Sequence, residues 1–154
     1  MSGAGNGTMI TAADSFHFAY QPWTGDATLI ARVVSVQGSG AAQVGIMVRE
    51  TLNSGANHVF LFDYAPSVLA TERTSTGSSS AYQFVGSATP PNWLKLVRAG
   101  NVFTMYGSTN GTTWTQLGTT QTATMAPNVY VGLAVSNRNT SSLAIATFDN
   151  VFIQ

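Results

Sequence analysis

Alternation with a period of two is the feature of this sequence that most restricts its fold. In residues 28–37 (TLIARVVSVQ), 57–64 (NHVFLFDY) and 129–136 (VYVGLAVS), β-branched and aromatic residues alternate with other types, as in strands with one buried face. The same pattern predicts strands at 15–21, 43–50, 68–75, 81–86, 93–98, 102–108, 113–117 and 143–153. No long window carries an apolar stripe with helical spacing. We therefore predict an all-β protein with no helix longer than about two turns.

Turn residues indicate how some of these strands connect. Gly100-Asn101 and Asn110-Gly111 each separate two alternating runs, and Gly and Asn accept the positive φ angles of tight hairpins. The segment 93–117 is therefore predicted to be a three-strand meander. Many short strands in a chain of 154 residues favour a two-sheet antiparallel β-sandwich over a closed barrel. We expect residues 8–154 to form this single domain, after a flexible or partner-bound segment at residues 1–7.

The period-two pattern also predicts which side chains face the core. The expected core members are Phe16, Phe18, Leu29, Val33, Ile46, Val48, Trp93, Leu96, Phe103, Val131, Leu133 and Phe148.

Charge is scarce in this chain. Charged residues make up 8% of it, the formal net charge is +0, and 35 of the 154 residues are Ser or Thr. Without a basic field, nucleic acid is not an expected partner, whereas an uncharged, hydroxyl-rich surface suits a neutral one. The absence of Cys excludes disulfides, thiolate catalysis and Cys-bound zinc. No apolar run approaches the ~18 residues of a membrane span.

A series of short motifs resembles one bacterial family. The motifs occur in order along the chain: 14–18 (DSFHF), 24–26 (TGD), 31–33 (ARV), 45–50 (GIMVRE), 93–96 (WLKL), Arg98, 100–101 (GN), Ser108, 110–111 (NG), Trp114 and 148–151 (FDNV). In this order they resemble the concanavalin A-like jelly-roll modules of the DUF1349-like or LamG-like type, which are appended to secreted carbohydrate-active and cell-surface proteins. The resemblance implies a jelly roll, a secreted or cell-surface location in bacteria, and binding more often than catalysis. Residues 43–45 (QVG) replace the family's Lys-Ala-Gly, so no role is transferred for that lysine.

Catalytic constellations are not evident in the sequence. Glycosidases need two carboxyl groups across a cleft, and only Glu50 and Glu72 supply glutamate. We expect Glu50 to pair locally with Arg49 or to be solvated. Asp63 is expected to pair with an arginine or to lie on an outer face. The histidines, His17 and His58, are expected to be structural, since no nucleophile elbow accompanies them.

A structural calcium ion is the only cofactor that the sequence suggests, and none is required. The candidate ligands are Asp26 after Gly25, and Asp149 with Asn150. The alternative, which we favour, is that these carboxylates cap turns by accepting backbone N–H groups.

Aromatic residues in or near predicted loops suggest a neutral polysaccharide or glycan as the ligand, because sugars stack their CH faces on exposed rings. The candidate platform is Trp23, which lies between Pro22 and Gly25, together with Tyr64 or Tyr82. Asn137 and Asn139 are candidate hydrogen-bonding residues, although ordinary turn chemistry explains them equally well. The predicted function is a non-catalytic, lectin-like binding module of a secreted or cell-surface protein.

Self-association is the alternative function, with a structural or adhesive role. Sheet edges are commonly protected by lysine, and Lys95 is the only lysine in the chain. A net charge of +0 also removes repulsion between copies of the chain.

Overall fold

The computed structural model describes residues 1–8 and 10–154, and that part of the chain consists of strands, turns and loops without a helix. None of it could therefore cross a membrane as a helix. The strands of these residues are β1 (Ser2–Gly5), β2 (His17–Thr24), β3 (Ala27–Gln37), β4 (Gln43–Arg49), β5 (His58–Tyr64), β6 (Ser67–Arg73), β7 (Ala81–Ser87), β8 (Asn92–Ala99), β9 (Val102–Ser108), β10 (Thr115–Gln116), β11 (Gln121–Thr122), β12 (Asn128–Ser136) and β13 (Asn139–Ile153).

Two antiparallel sheets form a sandwich of jelly-roll type, which confirms the predicted fold class. The first sheet has the order β1-β13-β3-β8-β9-β10, with β11 also paired to β9. The second sheet has the order β2-β12-β4-β5-β6-β7. The predicted meander is present as β8, β9 and β10, although β10 is shorter than the predicted segment 113–117. Strands β1 and β11 were not predicted.

The main core lies between the sheets and follows the period-two pattern. Seven predicted members are fully buried there: Leu29, Val33, Ile46, Val48, Leu96, Phe103 and Val131. Leu133 and Phe148 are partly buried and pack against the same cluster. The alternation of apolar residues therefore placed nine of the twelve predicted members in this core.

A second apolar cluster lies on the opposite, outer face of the second sheet. Met47, Phe60, Phe62, Leu69 and Ala134 are buried there, and Phe16, Phe18 and Tyr64 pack against them. Phe16 and Phe18 were expected in the main core, so their assignment is corrected to this cluster. Both outer and inner residues of β4 and β5 are buried, as in strands that are covered on both faces.

Residues 7–8 and 10–15, which we call the cover segment, bond to the outer face of the second sheet, where the second apolar cluster also lies. The backbone groups of Gly7 and Ser15 bond to each other, so the two ends of the segment lie side by side. The fully buried Thr8 joins two strands of the second sheet, because its N–H donates to Gln43 Oε1 (2.9 Å) and its hydroxyl contacts the hydroxyl of Thr71 (2.9 Å). The cover segment therefore lies over the outer face of the sheet at β4 and β6.

The N-terminal residues differ from the expectation of a flexible or partner-bound segment at 1–7. Ser2–Gly5 form β1, which pairs with β13 of the same chain, and the Met1 ammonium donates to the Ala146 carbonyl (2.8 Å). Strand β1 also lies close to β12, and the small side chains of β1 allow this, since a Cβ atom at Gly3 would lie 2.2 Å from the Val135 carbonyl oxygen. The glycine-rich composition that suggested flexibility therefore permits tight packing instead.

Trp93 was also expected in the main core, and it lies outside that core. Its neighbours Leu94 and Leu96 face inward, so the alternation along β8 places Trp93 on the outer face of the first sheet. There it contacts Trp114 edge to face, with ring centroids 6.5 Å apart.

Candidate functional site

The strongest candidate site is a cleft at one edge of the sandwich, between the end of β7 and the strands β9 and β10. We call it the edge cleft. Its volume is about 420 Å³, which is within the range of small-ligand sites. Its lining residues are Val68, Ser87, Ala88, Asn92, Trp93, Leu94, Gly107, Ser108, Thr109, Asn110, Thr113, Thr115 and Leu117.

The chemistry of the edge cleft is neutral. Val68, Leu94 and Leu117 provide apolar surface, and the polar lining consists of hydroxyl and amide groups. The hydroxyls of Thr113 and Thr115 have no hydrogen-bond partner among the described residues. None of the described residues that line the cleft has a charged side chain. The arrangement suits a neutral ligand that has both apolar faces and hydroxyl groups.

The turn at one side of the edge cleft is held in a defined shape. Ser108 Oγ accepts the N–H groups of Asn110 and Gly111, and Asn110 Oδ1 accepts those of Thr112 and Thr113, all at 2.9–3.2 Å. These bonds order the backbone from which the Thr113 and Thr115 side chains project.

An aromatic cluster on the outer face of the first sheet supports the same turn. A Cβ atom at Gly111 would lie 2.8 Å from the Trp93 ring, so the turn rests directly on that ring. The Lys95 ammonium lies 4.4 Å from the ring centroids of both Tyr106 and Trp114, a cation–π arrangement. The support for the turn therefore consists of large, well-packed side chains.

A buried polar pair lies beneath the edge cleft. Asn92 Nδ2 donates to Asp63 Oδ1 across the sandwich at 2.9 Å, and the two residues are only 5% and 2% exposed. Burial raises the pKa of Asp63 to about 7, an effect that this hydrogen bond opposes. Asp63 was expected to pair with an arginine or to face outward. It does neither, because the alternation along β5 points its side chain toward the first sheet.

A buried ionic cluster attaches the cover segment to the second sheet. Asp14 accepts from Arg49 Nη1 (2.5 Å) and from Arg73 Nη1 and Nη2 (2.8 and 2.6 Å). His58 lies 3.6 Å from the same carboxylate, and burial lowers its pKa to about 4. The cluster is a structural attachment, since all four side chains are at most 3% exposed. Glu50 was expected to pair with Arg49 or to be solvated. Arg49 pairs with Asp14 instead, and the partly exposed Glu50 accepts the Ala126 N–H through Oε1.

The predicted aromatic platform is not assembled as one surface. Trp23 is in strand β2 rather than a loop, packs against the main core, and donates its indole N–H to the Asp26 carbonyl (2.8 Å). Tyr64 belongs to the second apolar cluster, and its hydroxyl accepts from Arg138. Tyr82 is 53% exposed on β7, at the opposite edge of the sheet from β2. Contact of any one of these rings with a glycan stays a prediction.

Both predicted asparagines hold turns. Asn137 is 2% exposed, and it connects two loops by accepting the Ser39 N–H and donating to Ser142 Oγ, both at 2.7 Å. Asn139 is exposed, and its Oδ1 accepts the Ser141 N–H at 2.7 Å. A ligand-binding role for either residue stays a prediction.

The predicted calcium ligands are bonded to protein groups. Asp26 Oδ1 accepts the Gly100 N–H (2.7 Å), whereas Asp149 pairs with Arg32 (3.3 Å) and accepts from Asn150 Nδ2 (2.9 Å). Among residues 1–8 and 10–154, no three His, Asp or Glu side chains group as a metal site would require. Calcium binding stays a prediction.

The edge cleft was missed at the sequence level. Ser87, Asn92, Thr113 and Thr115 come from separate segments, and no short motif joins them. The sequence did predict the meander and its Asn110-Gly111 turn, which form one wall of the cleft. Nothing in the sequence indicated which part of the second sheet forms the other wall.

Solved structures share this fold. A functionally unknown protein from Saccharomyces cerevisiae has a TM-score of 0.74 and 17% identity, over 98% of this chain and 84% of that one. The xylan β-1,4-xylosidase of Bacillus halodurans has a TM-score of 0.59 and 14% identity, over 91% of this chain. The alginate lyase of Klebsiella pneumoniae has a TM-score of 0.56 and 14% identity, over 85% of this chain. These similarities show the jelly-roll fold.

This chain matches a different fraction of the length of each of these proteins. This chain spans 29% of the xylosidase and 60% of the alginate lyase. No protein-family model matches the sequence, and no curated protein matches it either. The finer resemblance to DUF1349-like or LamG-like modules therefore stays a prediction.

Proposed function

We propose that this chain is a non-catalytic module that binds neutral glycans, within a secreted or cell-surface protein. The observation that carries this proposal is the edge cleft, where apolar surface, free threonine hydroxyls and the absence of charge among its described lining residues occur together. Sugars offer apolar CH faces and neutral hydroxyls, so both kinds of surface would be used.

The structural neighbours support a carbohydrate ligand. Two of them are named for enzymes that act on polysaccharides, xylan and alginate, and this chain has less than a third of the xylosidase's length. A module of that size beside a catalytic domain would hold the polymer near the enzyme. The carboxylates of Asp14 and Glu50 are engaged by protein groups, which supports a binding rather than a catalytic role.

Blocking the edge cleft is expected to abolish glycan binding. Ser87 is an exposed residue at the mouth of the cleft, so Ser87→Trp would fill the cleft without changing the core. Binding of linear xylo- and cello-oligosaccharides would be measured by titration calorimetry, with alginate oligosaccharides as the charged comparison. The expected loss is at least ten-fold in affinity, which is ~1.4 kcal/mol.

Ser79→Trp is the matched control, because Ser79 is exposed in the loop before β7 and does not line the edge cleft. Equal binding by the Ser87→Trp variant and the wild type would contradict the edge cleft as the site. If Trp23→Ala alone removed binding, the site would be the predicted Trp23 platform instead.

Self-association is a second candidate, and strand β7 is the observation that favours it. This edge strand (AYQFVGS) has no charged residue and no proline, and its Tyr82 and Phe84 are 53% and 61% exposed. Uncharged apolar edges are templates for pairing with another chain.

If β7 mediates association, Phe84→Lys is expected to shift the protein toward monomer. A charge on the edge strand would oppose pairing between two copies. Light scattering over a concentration series would measure the change, with Val151→Lys on β13 as the control for an exposed apolar residue elsewhere. A wild type that is monomeric at every concentration would exclude this candidate.

A further inference from the structure

The Asp63 and Asn92 side chains each have one oxygen atom that lacks a partner. Asn92 Nδ2 donates to Asp63 Oδ1 at 2.9 Å, but Asp63 Oδ2 and Asn92 Oδ1 are buried and receive no hydrogen bond within the described residues. An acceptor left without a donor in the core is destabilising, because it has lost its bonds to water. One proton shared between the two groups would satisfy both atoms.

We propose that Asp63 is protonated on Oδ2 and donates to Asn92 Oδ1, so that the two side chains form a cyclic pair with two hydrogen bonds joining the sheets. A carboxylic acid is both a donor and an acceptor, and so is a primary amide, so the two groups are complementary. An ionised Asp63 can only accept, which leaves the amide oxygen without a partner.

The immediate surroundings of Asp63 contain no charge that would hold it ionised. Its paired residues are Val44 on β4 and Val68 on β6, and it faces Asn92 on β8. A second cavity that Asp63 lines, near the β3–β4 loop, has only uncharged residues among its other described lining residues, Ser35 and Thr89 among them.

The nearest ionisable groups on the same inner faces are farther along the strands. Glu72 lies four residues beyond Val68 on β6, and Arg98 lies six residues beyond Asn92 on β8. These separations are about 13 and 20 Å at the rise of a β-strand. Burial is therefore the main influence on the Asp63 carboxyl, and it raises its pKa to about 7.

Proton loss from this pair would affect the edge cleft, because Asn92 also lines it. Ionisation of Asp63 places a charge in the core and removes one of the two bonds that hold Asn92. This consequence rests on the proposed glycan-binding function: binding at the edge cleft would weaken as the pH rises through about 7.

Carbon-13 NMR of the Asp63 carboxyl tests the pair directly. The titration midpoint is expected near 7 rather than the ordinary value of 3.8, a roughly thousand-fold gain in proton affinity. Asp149→Asn, which removes a partly exposed carboxyl, is the control and should leave this midpoint unchanged. A midpoint below 5 would overturn the proposal.

Two substitutions separate the cyclic pair from simple burial of an acid. Both Asp63→Asn and Asp63→Leu remove the charge, but only asparagine can donate to Asn92 Oδ1 and accept from Asn92 Nδ2. At pH 8 the asparagine variant should therefore have a higher urea midpoint than both the wild type and the leucine variant. A leucine variant as stable as the asparagine variant would contradict the two-bond pair.

Oligosaccharide titrations at pH 6 and pH 8 test the link to the edge cleft. The wild type should lose affinity for the xylo- or cello-oligosaccharide probe at pH 8, and Asp63→Asn should retain its pH 6 affinity. If no oligosaccharide binds at either pH, the proposed function fails, whereas the NMR titration still decides the pair. Equal pH dependence in the wild type and in Asp63→Asn would contradict the link.

Discussion

Replacement of Asp14 by alanine is expected to lower the free energy of unfolding by roughly 3–5 kcal/mol, the usual cost of removing one partner of a buried ion pair. Asp14 is the shared acceptor for Arg49 and Arg73, and the side chains of all three are at most 3% exposed. Without it, two guanidinium groups would stay buried with no opposing charge. The cover segment would also lose its ionic attachment to the second sheet and would keep only its other polar bonds, such as those of Thr8 to Gln43 and Thr71.

Urea denaturation followed by tyrosine and tryptophan fluorescence would measure this effect. Asp149→Ala is the matched control, because it breaks the partly exposed pair with Arg32 and should cost at most about 1 kcal/mol. If Asp14→Ala cannot be purified folded, Asp14→Asn keeps the side-chain volume and tests the charge alone. An Asp14→Ala variant with the wild-type urea midpoint would contradict a stabilising role for the cluster.

The pH dependence of stability is expected to contain two opposite contributions. The folded-state pKa of Asp63 is raised from 3.8 to about 7, so its stabilising contribution is present below pH 3.8 and is lost as the pH rises through 7. The folded-state pKa of His58 is lowered from 6.5 to about 4, so its contribution is present above pH 6.5 and is lost as the pH falls through 4. Between pH 4 and pH 7 the two changes largely cancel.

Single substitutions should separate these contributions. The difference in unfolding free energy between Asp63→Asn and the wild type is expected to grow by on the order of 4 kcal/mol from pH 4 to pH 8, because each pKa unit is worth about 1.4 kcal/mol. For His58→Gln, the difference from the wild type should instead grow as the pH falls from 6.5 to 4. Urea titrations at four pH values would measure both, and a pH-independent difference for Asp63→Asn would show that Asp63 ionises normally.

Local alternation predicted the sandwich because the order of apolar and polar residues within a strand indicates which face of that strand is buried. Ile46 and Val48 were identified in this way, and both are buried between the sheets. The second apolar cluster was harder to predict, since residues 57–64 were interpreted as a strand with one buried face, whereas β5 is covered on both faces and its residues 59–62 are all apolar. The cover segment, residues 7–8 and 10–15, has almost no strand pattern, and polar bonds from Thr8 and Asp14 attach it to the sheet.

The site depended on contacts between residues far apart in the sequence. The edge cleft combines residues of both sheets, and a pattern within one strand does not report which strand lies across the sandwich. Asp63 illustrates the limit, because a carboxylate in an apolar run suggested an outer face or an arginine partner. Its actual partner is Asn92, a neutral residue that no charge-pairing rule would select.

The pairing of β1 with β13 has a consequence for how the chain reaches its folded state. Ser2 lies opposite Ile145, so two neighbouring strands are separated by nearly the whole length of this chain. Such non-local contacts slow folding, and sandwiches dominated by them typically fold in milliseconds to seconds. During synthesis, β1 is made before the other strands of this chain, and its partner β13 is made after them. Until then its backbone donors and acceptors can be satisfied only by water or by transient contacts.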